Sequence, residues 1–150
     1  MTGKLHRYEG HEVTVTFDAT RCIHDAHCVR SLPAVFNTAA RPWVQPDAAA
    51  TDALLQVVAG CPTGALHATR RSGEPNAVEA PAAIDVRVAR HGPLFLRGSV
   101  TVLDADGTTI VCDDRIALCR CGLSQRKPFC DSSHRTAGWR DAPAETAPAP

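Results

Sequence analysis

Large apolar side chains are scarce in this chain of 150 residues, where aromatic residues make up 5% and methionine occurs once. Much of the 44% hydrophobic content is small alanine, and metal sites often compensate for such limited cores. Net charge is also lacking, because 16 Lys+Arg balance 16 Asp+Glu, which disfavours nucleic acid as a partner. No apolar run approaches the roughly 20 residues of a membrane span, so we expect no membrane partner.

The motifs of organic catalysis are missing as well. The sequence contains neither a nucleotide-binding loop nor a nucleophile–base pattern, so we expect a carrier or metal-binding protein and not an enzyme. What it does contain is seven cysteines. Because this number is odd and no signal-peptide pattern opens the chain, we expect reduced thiols and a cytoplasmic location.

Three cysteines and a histidine near the C-terminus have the spacing of metal ligands. The pattern is C-x-C-x8-C-x3-H, formed by Cys119, Cys121, Cys130 and His134. Soft thiolates with an imidazole suit a transition metal or an iron–sulfur cluster. A structural zinc site is the alternative, since Cys3His is a normal zinc shell, although zinc pairs usually stand two to four residues apart.

The segment from Cys119 to His134 closely resembles the CDGSH iron–sulfur domain, also called the NEET family. The resemblance implies a 2Fe–2S cluster, with Cys119 and Cys121 on one iron and Cys130 and His134 on the other. Besides these ligand positions, the sequence matches the family pattern at Ser124, Pro128, Asp131 and Ser133.

The surroundings of these ligands lead to three further expectations. Asp131 is a good N-cap, so a helical turn is predicted to start there, with His134 at its third position. Ser132 stands where the family usually has glycine, which costs about 1 kcal/mol if the backbone needs a positive φ. The basic residues between Arg115 and Arg140 are predicted to offset an anionic cluster or to dock an acidic redox partner.

A second thiol set lies upstream, at Cys22, Cys28 and Cys61. In bacterial ferredoxins a C-x2-C-x2-C loop and a remote Cys-Pro pair bind one cubane cluster. Here Asp25 replaces the middle cysteine, and Leu32 stands where a ligand for a second cluster would fall, so only one cluster fits. The alternative is three buried structural cysteines, which two positions in a polar loop disfavour.

Residues 8–69 resemble the divergent single-cluster ferredoxin domain of bacteria. The resemblance rests on the segment from Cys22 to Phe36, on Trp43, and on the run Cys-Pro-Thr-Gly-Ala-Leu that begins at Cys61. It implies a 3Fe–4S or 4Fe–4S cluster held by Cys22, Cys28 and Cys61, for which Asp25 is the candidate fourth ligand.

These observations predict an α+β fold with two modules. A ferredoxin-like α+β module spans residues 1–71, a linker 72–83, a small β-rich CDGSH module 84–142, and a disordered tail 143–150. Apolar alternation and turn residues predict strands and helices. Strands are expected near 13–17, 65–68, 84–88, 94–96, 99–103 and 108–112, with a brief strand after the turn at 41–44. Helices are expected near 32–36 and 51–59, and residues 115–118 lead into the loop with the C-terminal cysteines. Gly60 is expected at C′ of the second helix, and Cys112 as core filler.

The leading functional hypothesis is a two-cluster electron-transfer protein that serves an unidentified redox partner protein. Cluster transfer or redox and pH sensing in iron homeostasis is the second hypothesis, since a single histidine ligand makes a cluster labile. A zinc-stabilised interaction domain is the third. The NEET resemblance further implies a homodimer through the CDGSH module, unless the N-terminal module takes the partner's place.

Overall fold

In the computed structural model, which describes residues 5–76 and 83–142, two three-stranded antiparallel sheets follow one another along the chain. The first contains β1 (Leu5–Glu9), β2 (Val13–Asp18) and β3 (Leu66–Arg70), with β2 in the centre. The residues Val13 and Val15 of β2 are fully buried. Together with the helices this arrangement confirms the predicted α+β class.

Two short helices and a 3₁₀ turn connect the strands of the first sheet. Helix α1 spans His27–Ser31, the 3₁₀ turn Pro46–Ala48, and helix α2 Thr51–Ala59. Leu54, Leu55 and Val58 of α2 pack onto the sheet, as the apolar face of this segment predicted. The other buried members of this core are Val13, Val15, Val35, Phe36, Val44, Cys61, Ala65, Leu66 and Ala68.

The second sheet has the strand order β4–β5–β6. Its strands are β4 (Asp85–Val88), β5 (Leu94–Leu103) and β6 (Thr109–Leu118), and helix α3 (Ser133–Thr136) follows the cluster loop. The predicted turn between β5 and β6 is present, since Asp104 N–H donates to Thr108 O at 2.9 Å. The two expected strands at 94–96 and 99–103 are one strand with an irregularity between Arg97 and Val100.

Three expectations about the elements are wrong, and one strand was not foreseen. The helix expected at 32–36 lies at His27–Ser31, after a left-handed residue at Ala26. Strand β1 was not expected, because its pattern carries polar residues and only pairing with β2 defines it. Gly60 is not left-handed (φ −76°); it is close to the His27 ring, which leaves no room for a Cβ. Cys112 is exposed and not core filler.

Parts of the expected organisation lie outside the described residues. These are the tail at 143–150 and half of the linker, namely residues 77–82. Among residues 5–76 and 83–142, no helix combines the length and apolar character needed to cross a membrane.

Candidate metal centres

The end of β6 and the loop after it bring the four C-terminal donors together. Cys119 N–H donates to Pro128 O at 2.8 Å, and Cys130 N–H donates to Ala117 O at 2.9 Å. These two bonds fold the loop back on the strand. The thiols of Cys119 and Cys121 therefore lie near the segment that carries Cys130 and His134.

The four donors form two close pairs. The Cys119 and Cys121 sulfurs are 3.7 Å apart, and the Cys130 sulfur lies 3.6 Å from His134 Nδ1. Two ligands of one tetrahedral metal, bound at about 2.0–2.3 Å, stand about 3.5–3.8 Å apart, so each pair fits one metal ion.

The two pairs are too far apart to bind one metal ion together. Of the residues described, three ligand atoms mutually within 4.8 Å are found only for His67, Asp113 and Asp114. A single tetrahedral zinc ion would require all four C-terminal donors at such distances. The donor set therefore fits a binuclear group better than one zinc ion.

Backbone N–H groups surround the sulfurs of this site. Leu123 N–H donates to the Cys121 sulfur and Ser132 N–H to the Cys130 sulfur, both at 3.4 Å. At Cys119 burial opposes ionisation, but N–H groups of Ser124 and Gly122 outweigh it and lower the pKa of the thiol. Such donors favour the thiolate form that binds metal.

At the second pair burial is the dominant influence on both groups. It raises the pKa of the Cys130 thiol, and together with the charge of Arg135 it lowers the pKa of His134. His134 is 6% exposed. A neutral imidazole is the form that ligates metal, so this surrounding prepares the histidine for binding near neutral pH.

Asp131 organises the loop through backbone N–H groups. Its carboxylate accepts from Ser133 N–H at 2.9 Å and from Gln125 N–H at 2.8 Å. Burial opposes its ionisation, but these two bonds and a third from the Ser133 hydroxyl together outweigh burial and lower the pKa of Asp131 to about 2. The predicted cap position is wrong by one residue, because the helix begins at Ser133 with Ser132 as N-cap.

The N-terminal thiols line one common cavity. Cys22 precedes α1, Cys28 lies in α1, and Cys61 follows α2, so three separate segments converge. Burial raises the pKa of the thiols of Cys22 and Cys28. Negative charge on the Cys61 sulfur raises the pKa of both thiols further. The convergence of three thiols from separate segments on one cavity is the observation that supports ligation over three unrelated structural cysteines.

The donor set of this cavity fits a cubane better than a single ion. No three of its ligand atoms approach within 4.8 Å of one another among the residues described. In a cubane each iron takes one protein ligand, so wider separation is expected. Asp25 lines the same cavity, with its carboxylate 3.9 Å from Arg30, and left-handed residues at His24 and Ala26 shape its loop.

One buried arginine connects the two modules. Arg115 of β6 is 5% exposed and reaches into the N-terminal module at the end of α2. Its guanidinium donates to Leu66 O at 3.1 Å, to Cys61 O at 3.5 Å, and to Val58 O. The basic residues were expected to surround the cluster or to dock a partner, but Arg115 has a structural partner within the chain.

Ion pairs extend this contact. Arg21 pairs with Asp113 and donates to Arg115 O at 2.8 Å, while His67 Nε2 lies 3.1 Å from the Asp113 carboxylate. Burial opposes ionisation of Asp113, but hydrogen bonds from His67 and Arg21 outweigh it and hold its pKa well below the usual range. Because two guanidinium groups already face Asp113 and Asp114, this cluster is an ion-pair network and not a cation site.

Sequence patterns did not reveal these contact residues. A charged residue directly before the buried pair Ile116 and Ala117 was the available signal, since unpaired arginine is rarely buried. Its partners are about 50 positions away in the chain, so no local pattern identifies them.

The geometry and the similarity to known proteins define the class of this protein. Residues 8–71 match a family model described as a divergent 4Fe-4S mono-cluster, and residues 91–135 match one described as an iron-binding zinc finger of the CDGSH type. In agreement with the donor sets at both sites, the molecule is an iron–sulfur cluster-binding protein.

Relatives place the N-terminal part in its family. An uncharacterised protein of Escherichia coli K12, YjdI, is 33% identical over 66 residues, which cover 44% of this chain and 87% of the relative. Its counterpart in Escherichia coli O157:H7 gives the same values. The chain belongs to the divergent 4Fe–4S mono-cluster family and carries a CDGSH-type domain after it. The resemblances to both families are thereby confirmed.

Proposed function

We propose that this protein transfers electrons through two different iron–sulfur clusters. Cys119, Cys121, Cys130 and His134 would hold a 2Fe–2S cluster, and Cys22, Cys28 and Cys61 a 3Fe–4S or 4Fe–4S cluster. The paired C-terminal donors, 3.7 and 3.6 Å apart within each pair, carry this proposal. When bound, such clusters accept and release single electrons.

The ligands favour a direction for the electron. An imidazole donates less negative charge than a thiolate, so a histidine ligand raises the potential of its site. His134 is buried, which also disfavours its protonation. We expect electrons to enter at the N-terminal site and to leave from the C-terminal site toward a redox partner protein.

Paired cysteine variants test the two-site proposal. Cys119→Ser is expected to abolish only the 2Fe–2S signal and Cys61→Ser only the other, measured by EPR with iron and sulfide counts. The matched control is Cys112→Ser, because Cys112 is exposed and belongs to neither donor set. Loss of both signals in either single variant that remains folded would contradict two independent sites.

Cluster transfer is the second candidate function. Cys119 and Cys121 are half-buried, whereas Cys130 and His134 are buried, so one pair is more accessible to an acceptor. Incubation with an apo-ferredoxin discriminates between the functions. Transfer of an intact cluster would favour the second candidate, and fast reversible redox cycling without transfer favours electron transfer.

The partner of the C-terminal module is a separate question. The N-terminal module already packs against it through Arg115 and Arg21, which supports the alternative that the fused module replaces a second subunit. Exposed apolar residues on β4, Val86 and Val88, support self-association instead. Sedimentation equilibrium of wild type and Val86→Lys distinguishes a dimer from a monomer.

A further inference from the structure

The residue that follows ligand Cys22 is buried against the other site. Ile23 is 3% exposed and shares a small apolar cluster with Cys130 and Ala117, onto which Phe95 packs. Cys22 and Cys130 belong to different donor sets. The loop of the N-terminal site is thus in contact with the C-terminal site through its own backbone and through Ile23.

Three side chains of the C-terminal module, two from its loop and one from α3, donate to carbonyl groups of the N-terminal loop. Ser132 Oγ–H donates to Ile23 O at 3.0 Å, and Arg135 Nη1 lies 3.5 Å from the same oxygen. Arg126 donates to Thr20 O. We call these three interactions the loop contact. They attach one cluster-binding loop directly to the other.

Ser132 occupies a backbone position that favours glycine. Its φ is 71° with ψ of 8°, the left-handed region, where an L side chain is strained. Glycine would relieve this strain but could not donate to Ile23 O. The hydroxyl therefore provides a contact between the modules that offsets an unfavourable conformation.

The atoms of Ser132 also complete a continuous path between the two donor sets. Its N–H donates to the Cys130 sulfur at 3.4 Å, and its hydroxyl donates to Ile23 O. Ile23 is joined to Cys22 by a peptide bond. From the sulfur of one donor set to the backbone of a ligand in the other, the path contains covalent bonds and two hydrogen bonds only.

We propose that Ser132 is a positioning residue that couples the two sites, so that an electron passes between them within one chain. This inference rests on the proposed electron-transfer function. One electron leaves the N-terminal site, which is oxidised, and reaches the C-terminal site, which is reduced. No bond is made or broken. In the test the electron comes from a small one-electron reductant, the methyl viologen radical.

The experiment uses the full chain with both sites loaded. Pulse radiolysis generates the viologen radical, and visible absorbance follows the distribution of the electron between the sites. Wild type is expected to show a phase whose rate does not depend on protein concentration. Ser132→Gly and Ser132→Ala are both expected to slow that phase, because each removes the hydroxyl that donates to Ile23 O. The matched control is Thr136→Ala, which removes an exposed hydroxyl that donates within its own module, to Ser133 O.

The two Ser132 variants separate coupling from stability. Ser132→Gly relieves backbone strain and Ser132→Ala does not, so their unfolding equilibria are expected to differ about fivefold. Equal slowing in both variants supports the proposal. The proposal would be overturned if the rate of this phase changed in proportion to the unfolding stability of each variant, or if it remained unchanged in both variants. It would also be overturned if the rate in wild type depended on protein concentration. Iron and sulfide counts report separately on the proposed function, because chains without two clusters would contradict that function directly.

Discussion

The two modules support their donor sets in different ways. The N-terminal thiols lie against a core of buried apolar residues that includes Phe36, Leu54 and Val15. In the C-terminal module the buried apolar residues are small or few, and one member of their cluster, Ile23, belongs to the other module. The C-terminal module must therefore be stabilised by hydrogen bonds, by bound metal and by its contact with the N-terminal module.

The exposed surfaces show the same difference. Of the large apolar residues exposed in the described structure, six of seven lie between Ile84 and Leu123. A sheet that leaves large apolar residues exposed to solvent gains little free energy from apolar burial when it folds. The C-terminal module is thus expected to respond more strongly to any loss of ligands or contacts.

Removal of iron is expected to have the largest effect. Chelation should unfold the loop around Cys119 and Cys130 while β2 retains its structure, because metal binding contributes on the order of 10 kcal/mol in small metal-stabilised domains. Hydrogen exchange of the Cys119, Cys130 and Val15 amides measures this. If Val15 lost its protection together with the loop, the two modules would not differ as described.

Replacement of Arg115 should weaken the contact between modules. Arg115→Met leaves the carbonyls of Val58 and Leu66 without their buried donor, which is expected to lower the free energy of unfolding by about 3 kcal/mol. Denaturant titration of the loaded protein measures the change. Arg140→Met is the control, since Arg140 is exposed, and should have an effect within about 0.5 kcal/mol. Equal effects of the two substitutions would remove Arg115 from the contact.

Acid should release metal from the C-terminal site first. Burial, and next the charge of Arg135, lowers the pKa of His134, so the neutral imidazole that ligates metal is stable at neutral pH. For a histidine with a lowered pKa, stability is present above the unfolded value and is lost as pH falls. We expect cluster loss below about pH 6 and persistence near pH 8.

The variant His134→Cys tests this pH dependence. A thiolate holds iron more firmly against protons, so the variant should keep its visible absorbance longer at pH 5.5 and have a lower potential. Both proteins are compared at pH 5.5 and pH 8. The same decay rate for both at pH 5.5 would show that His134 is not a ligand.

The smallest change in stability is expected at Asp25. Its side chain is 40% exposed and its pair with Arg30 is at 3.9 Å, so substitution should alter stability by less than about 1 kcal/mol. The cluster type should nevertheless change. Asp25→Cys is expected to fix a 4Fe–4S cluster and Asp25→Ala to favour 3Fe–4S, both measured by EPR in air and under reducing, iron-replete conditions. Identical spectra for wild type and both variants would exclude Asp25 as a ligand.

Local patterns predicted the elements that local interactions determine. Strand β2, helix α2 and the turn at Asp104 follow from apolar spacing and turn residues within a few positions. The spacing of Cys119, Cys121, Cys130 and His134 likewise predicted residues that the structure brings together as pairs, because geometry at a metal restricts the intervening loop.

Features that depend on distant partners were not predictable from such patterns. Strand β1 exists because β2 offers it an edge, and Arg115 is buried because carbonyl groups of the other module accept its hydrogen bonds. The same applies to Ser132, where the sequence departs from the family pattern. Its partner, Ile23 O, is 109 residues away in the chain.

The contact made by Arg115 also determines how the two halves would behave as separate fragments. Apart from its partner, one fragment would carry an unmatched guanidinium and the other a set of exposed carbonyl groups at the end of α2. Two such pieces, made from a chain divided within residues 72–83, should therefore recognise each other and reassemble. The peptide connection would then act mainly as a tether that raises the effective concentration of one piece near the other.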